Sequence, residues 1–143
     1  MIMQLRRSDI IKECLNWLGT PWEHQGRSKL GCDCAGFVHM VGVSLGCDTK
    51  GLSDKPTYGR DPDSTMKSLL DKHLTKRKMV QRKPGTILFF GFGTHGQHLG
   101  IISNSEDTFY HGFEYEKCVV ETRLDGRWIK RLCGVYDFNE VID

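Results

Sequence analysis

Apolar and polar residues follow two different rhythms along this chain, and the change falls at Pro84-Gly85. Before it, apolar positions recur at helical spacing; after it, they come in short runs of strand length. Ile10, Ile11, Cys14, Leu15 and Leu18 keep a helical period. Ser8 is placed to cap that helix, Gly19 to end it and Pro21 to prevent its return. Residues 19–33 read as loop. From Cys34 to Leu45 the chain is mostly small and apolar, with Asp33 before it and Gly46 after it. That predicts a buried helix with Asp33 as N-cap. Residues 47–62, with Gly51, Pro56, Gly59 and Pro62, read as an irregular connection. A third helix is expected to start at Asp63 or Ser64 and to run through Met66, Leu69, Leu70 and Leu74.

The second half predicts strands at "TILFF" (86–90), "HLGIIS" (98–103), "TFYHGF" (108–113), "CVVET" (118–122) and "GVYDF" (134–138). Helices followed by a strand run favour an α+β fold with an antiparallel sheet. No internal repeat, low-complexity tract or linker divides the chain, so residues 1–143 are expected to form one domain.

Composition changes this picture little. Hydrophobic residues make up 38% of the chain and aromatics 10%, enough for one core. A net charge of +2 gives no reason to expect a nucleic-acid partner. The basic stretch "KHLTKRKMVQRK" (72–83) reads as a solvated helix end and loop, against the alternative of a patch for an anionic polymer. No apolar run approaches the ~20 residues of a membrane span. Asp9, Lys12 and Glu13 interrupt the first apolar stretch, so no secretory signal is expected. Cytoplasmic synthesis and reduced thiols follow as expectations.

The candidate chemistry sits in "GCDCAGFV" (31–38). Cys32 and Cys34 admit three readings: half a metal site, a disulfide, or one nucleophile. A closed zinc site needs four ligands, and the other cysteines are scattered singly; His24, His39, His95 or His98 would have to complete it. A bridge between Cys32 and Cys34 would close a strained ring. As a nucleophile, Cys34 would be the first helical residue after the Asp33 cap, where backbone N–H groups and the helix dipole favour a thiolate. Its own N–H could then serve an oxyanion. Ala35 and Gly36 leave room for a substrate to approach and for another layer to pack closely. No cofactor is expected.

A thiol nucleophile needs a base, and the base an orienting group. In "HLGIIS", His98 and Gly100 share one face of the strand. If "NSED" (104–107) closes a hairpin of even loop length, His111 falls opposite Gly100, diagonally beside His98 and about 5–8 Å away. An odd loop would turn His111 to the other face. The pattern yields Cys34 as nucleophile, His98 as base and His111 as orienter, with His95 as rival base and His24, His39 and His73 as weaker candidates. The competing reading is a buried cysteine that acts as a small hydrophobe, with histidines that are simply satisfied.

Together "GTPWEHQGRSKLGCDCAGFV" (19–38), "KPGTILFF" (83–90), "QHLGI" (97–101) and "FYHGF" (109–113) resemble the NlpC/p60 cysteine peptidases. The resemblance implies a papain-like α+β fold, N-terminal helices packed on a small antiparallel sheet, and a Cys34-His98-His111 triad. It implies hydrolysis of peptidoglycan stem peptides, usually between D-glutamate and a diamino acid. Trp22, Asp33, Ala35 and Gly36 are expected to face the substrate. Trp22 stands where many members carry tyrosine, and Thr86 where many carry aspartate. "HQGRS" (24–28) and "VVETRLDGRWIKRLCGVYDF" (119–138) resemble the branch from phages and gene-transfer agents, which implies tail proteins as partners and a place in the virion tail. The alternatives are a tail component with a structural role, a thiol amidase or acyltransferase, or an interbacterial toxin.

Overall fold

The computed structural model of the protein describes residues 4–47, 49, 65–91 and 96–142. The expected helix start at Asp63 or Ser64, most of the 47–62 connection and the rival base His95 lie outside the described residues.

Six strands form one antiparallel sheet: β4 (Thr75–Arg77), β5 (Ile87–Gly91), β6 (Gly96–Ile102), β7 (Thr108–Phe113), β8 (Cys118–Arg123) and β9 (Leu132–Asp137). Their order is β4-β9-β5-β6-β7-β8. Two short pairs lie outside it. β1 (Leu5–Arg6) runs parallel to β10 (Val141–Ile142), and β2 (Arg27–Ser28) pairs with β3 (Gly31–Cys32). The helices are α1 (Arg7–Trp17), α2 (Cys34–Ser44), α3 (Thr65–His73) and the single turn α4 (Gly126–Ile129). The expected α+β architecture stands.

Alternation along the strands divides the core between the two faces of the sheet. Leu99, Ile101, Tyr110 and Tyr136 pack with Ile10, Cys14, Phe37, Val38 and Val41 of α1 and α2. Leu88, Phe90, Ile102, Phe109 and Val135 form a second cluster, against which Leu124, Trp128 and Leu132 pack. Each fully buried side chain of this size contributes roughly 1.5–3 kcal/mol.

Four local expectations differ from the structure. α1 begins after Arg6, with Ser8 inside the helix; Asp9 at the third helical position reaches back to accept the Arg6 N–H at 3.3 Å, so the helix start is fixed from inside the first turn and not by a serine cap. The buried stripe of α1 is Ile10, Ile11, Cys14 and Trp17, while Leu15 and Leu18 are 49% and 40% exposed. Trp17 can be buried because its indole N–H donates to Glu13 at 2.9 Å. Residues 19–33 hold the β2–β3 hairpin. In the basic stretch, Thr75–Arg77 form a strand paired with β9 where a helix end and loop were expected.

One buried carboxylate ties these parts together. Asp137 of β9 accepts from Arg7 of α1 at 3.0 and 3.1 Å, from Arg77 of β4 at 2.9 Å and from the Thr86 hydroxyl at 2.9 Å. Thr86 is fully buried, so a hydroxyl that donates fits there. A second carboxylate facing Asp137 would add like-charge repulsion.

Candidate active site

α2 starts where the sequence predicts. The Asp33 backbone is extended, and its carboxylate accepts the Gly36 N–H at 2.8 Å as an N-cap does. The same carboxylate accepts from the Gln25 N–H at 2.7 Å and from Arg27 at 3.2 Å, and His24 stands 4.0 Å away. Asp33 is only 4% exposed. Both of its oxygens therefore fix the 24–27 loop to the head of α2. Gly36 permits this, because a Cβ there would lie 2.0 Å from the Gly26 carbonyl oxygen. The close packing expected at Gly36 is found here.

β6 places the next residues. It pairs with β5 through Phe90↔His98, Phe89↔Leu99, Leu88↔Gly100 and Ile87↔Ile101. With β7 it pairs only at Ile101↔Tyr110 and Ile102↔Phe109. Beyond Ile101 the two strands part. The Ile102 N–H donates to Thr86 on one side and the Ser103 N–H to Thr108 on the other. Since N–H directions alternate along a strand, the Leu99 N–H points toward β7, into the opening. There it hydrogen-bonds the Cys34 thiol, as does the Ala35 N–H. On the β7 side a Cβ at Gly112 would come within 3.0 Å of the Asp33 carbonyl oxygen and 3.4 Å of the Cys34 nitrogen. The head of α2 is thus wedged where the ladder opens.

His98 and His111 meet on the other face of these strands. Thr108 and Ser103 close the hairpin, leaving the four-residue loop 104–107, and the even count turns His111 to the His98 side. His98 Nε2 lies 2.7 Å from His111 Nδ1, and His111 Nε2 lies 2.7 Å from Thr122 Oγ1. Phe109 fills the space over Gly100, where a Cβ would meet its ring at 2.6 Å. Thr122 escaped the sequence reading. The only signal for it is the β7–β8 register, Phe109↔Thr122, which sets the hydroxyl diagonally beside His111.

The electrostatics differ from those expected at a helix N-terminus. Burial pushes the Cys34 thiol up to about 12, and the neighbouring Asp33 carboxylate adds to the rise. The Leu99 and Ala35 N–H groups and Arg27 act the other way but are outweighed. Burial also pushes His98 down to about 4. His111 is depressed further, by burial and then by His98. Burial thus favours the neutral form of the thiol and of both imidazoles.

Cys32 is fully buried, and all six cysteines are free. Among the described residues, no three His, Cys, Asp or Glu side chains converge to hold a metal ion. Trp22 is half-buried and stacks on His24 with ring centres 6.4 Å apart. Its backbone bridges to Cys32. His39 bonds Thr49, and His73 ends α3. No helix among the described residues is long and apolar enough to cross a membrane.

The family model of the NlpC/P60 family matches residues 19–137. The chain belongs to the NlpC/P60 family. It is 26% identical over 112 residues to the probable endopeptidase NlpC of Escherichia coli (strain K12), covering 77% of this chain and 63% of the relative. It is 32% identical over 117 residues to a probable endopeptidase of Haemophilus influenzae, covering 80% of this chain and 63% of that protein. The NlpC/P60 chain thus spans less than two thirds of the length of these curated relatives. In fold it is similar to the solved NlpC/p60 domain of the peptidoglycan hydrolase SagA, with a TM-score of 0.66 at 21% identity over 94% of this chain and 100% of that one.

Proposed function

We propose that this NlpC/P60 chain is a cysteine endopeptidase that cleaves peptidoglycan stem peptides, with Cys34 as nucleophile, His98 as acid and base, and His111 as orienter. The observation that carries the reading is the 2.7 Å contact between His98 Nε2 and His111 Nδ1, on strands that open to receive Cys34. A neutral imidazole has one donor and one acceptor nitrogen. If His111 donates from Nε2 to Thr122, its Nδ1 accepts from His98 Nε2–H, and His98 Nδ1 keeps the lone pair a base needs.

The Cys34 thiol attacks the scissile carbonyl as its proton passes to His98 Nδ1. The Cys34 backbone N–H supports the oxyanion. His98 then protonates the leaving amine, and the thioacyl intermediate is hydrolysed by water that His98 deprotonates. The bond between D-glutamate and a diamino acid is the proposed target. Trp22 is the proposed pocket wall, while Asp33 holds the loop that carries it. Association with phage tail proteins is a finer proposal, supported by the resemblance of residues 24–28 and 119–138.

Digestion of diaminopimelate-type peptidoglycan by the wild type and by Cys34→Ala tests the reading. New stem-peptide fragments from the wild type alone, identified by mass, are the expected result. No fragments from a folded wild type with a modifiable Cys34 would point to another acyl substrate or a structural role.

A further inference from the structure

α4 is one turn long, yet it brings a single side chain onto both histidines. Its N-cap, Asp125, accepts the Arg127 and Trp128 N–H groups at 3.0 and 3.3 Å, which sets the direction of that turn. The Trp128 ring centre lies 5.7 Å from that of His98 and 5.3 Å from that of His111. It also lies 5.1 Å from Phe90, 5.1 Å from Phe109 and 5.5 Å from Phe113. Phe113 stacks on His111 at 4.7 Å, and Phe109 lies 4.3 Å from it. Four aromatic side chains from three elements thus surround one imidazole pair.

We propose that Trp128 is a positioning residue for the His98–His111 pair: it closes an aromatic box that keeps water off their hydrogen bond and holds both rings in register. The inference rests on the reading of His98 as the base. A hydrogen bond between two neutral imidazoles is weak where water competes and stronger where water is excluded. The three phenylalanines flank the pair on the same face of the sheet, and Trp128 adds cover from a turn outside it, leaving His98 half-buried.

The groups that face the pair from the packed elements carry no charge: Phe90 from β5, Phe109 and Phe113 from β7, Thr122 from β8 and Trp128 from α4. Among the described residues, the ionisable neighbours are the imidazoles themselves and the thiol of Cys34, which bonds the Leu99 N–H one residue beyond His98. On α4, Asp125 and Arg127 pair with each other at 3.3 Å. Among the described residues, burial is what lowers the His98 value. Removing the cover therefore has one main electrostatic consequence, which is hydration.

Imidazole titration by NMR in the wild type, Trp128→Ala and Trp128→Phe tests this without substrate. The expected wild-type His98 midpoint is about 4. In Trp128→Ala both midpoints rise toward the free value of about 6.5, and the ring N–H protons exchange faster with water. Trp128→Phe gives a smaller shift in the same direction. Wild-type midpoints and exchange in a folded Trp128→Ala overturn the proposal, as does a wild-type His98 that already titrates near the free value. If the alanine variant does not fold, an unshifted Trp128→Phe overturns it instead. Shifted midpoints with no peptidoglycan cleavage by the wild type leave the box standing and sink the reading of function. Cleavage with unshifted midpoints does the reverse.

Discussion

His98 Nε2 and His111 Nδ1 lie 2.7 Å apart although the ladder between their strands ends at Ile101↔Tyr110. The side chains keep the two strands joined on one face while the backbones part on the other to admit the head of α2. One opening thus serves two ends: it frees the Leu99 N–H for Cys34, and it leaves the imidazole pair intact behind it.

The pair is oriented from its far end. His111 Nε2 reaches Thr122 Oγ1 at 2.7 Å, and the hydroxyl is its partner at that nitrogen. Thr122→Val keeps the shape and removes the hydroxyl. One lost hydrogen bond of about 0.5–1.5 kcal/mol predicts a fall of roughly 2- to 13-fold in kcat with little change in KM. Thr122→Ser should recover most of it. A Thr122→Val enzyme with wild-type kcat would show that the tautomer of His111 is held by other means.

The resting state of Cys34 can be read by alkylation. A thiol raised to about 12 stays protonated where a free cysteine, near 8.5, has largely ionised. The rate of Cys34 modification by iodoacetamide, followed by mass spectrometry, should keep rising well above the pH at which a free thiol levels off. Cys133, which is exposed, should be modified first. A Cys34 rate that is already at its plateau at neutral pH would mean a preformed thiolate–imidazolium pair, and proton transfer would then precede substrate.

The same residues mark how far the sequence could be read. Helix α2 was legible from Asp33, a run of small and apolar residues, and Gly46, because capping and burial act over a few positions. The placement of His111 was legible as well, since strand alternation and a four-residue loop decide it by parity alone. Thr122 was not: its position depends on a second register, set by the 114–117 turn in which Lys117 adopts a φ of 62°. Trp128 sits on a turn too short to show a period. The environment of Cys34 was only half legible. The sequence reveals that a helix begins at Cys34 but not how deeply its first turn is buried, and here burial outweighs the N–H groups.

Burial of neutral imidazoles must also appear in stability. The unfolded chain binds protons at His98 and His111 as pH falls through about 6.5. The folded chain resists at His98 until about 4, and at His111 further still. Between those values the unfolded state binds more protons, so acid draws the equilibrium toward it. The contribution is fully present above about pH 6.5 and is lost as pH falls toward 4. Below that, protonation of Asp137, whose carboxyl is held low by Arg7, Thr86 and Arg77 despite its burial, removes a second anchor. Urea midpoints measured from neutral pH down to about pH 5 should therefore decline while the Asp137 carboxylate is still ionised. Replacing both histidines with asparagine should flatten that slope even if the double variant is less stable at neutral pH. An equally steep decline in the double variant would assign the acid sensitivity to other groups and would place the imidazoles in contact with water.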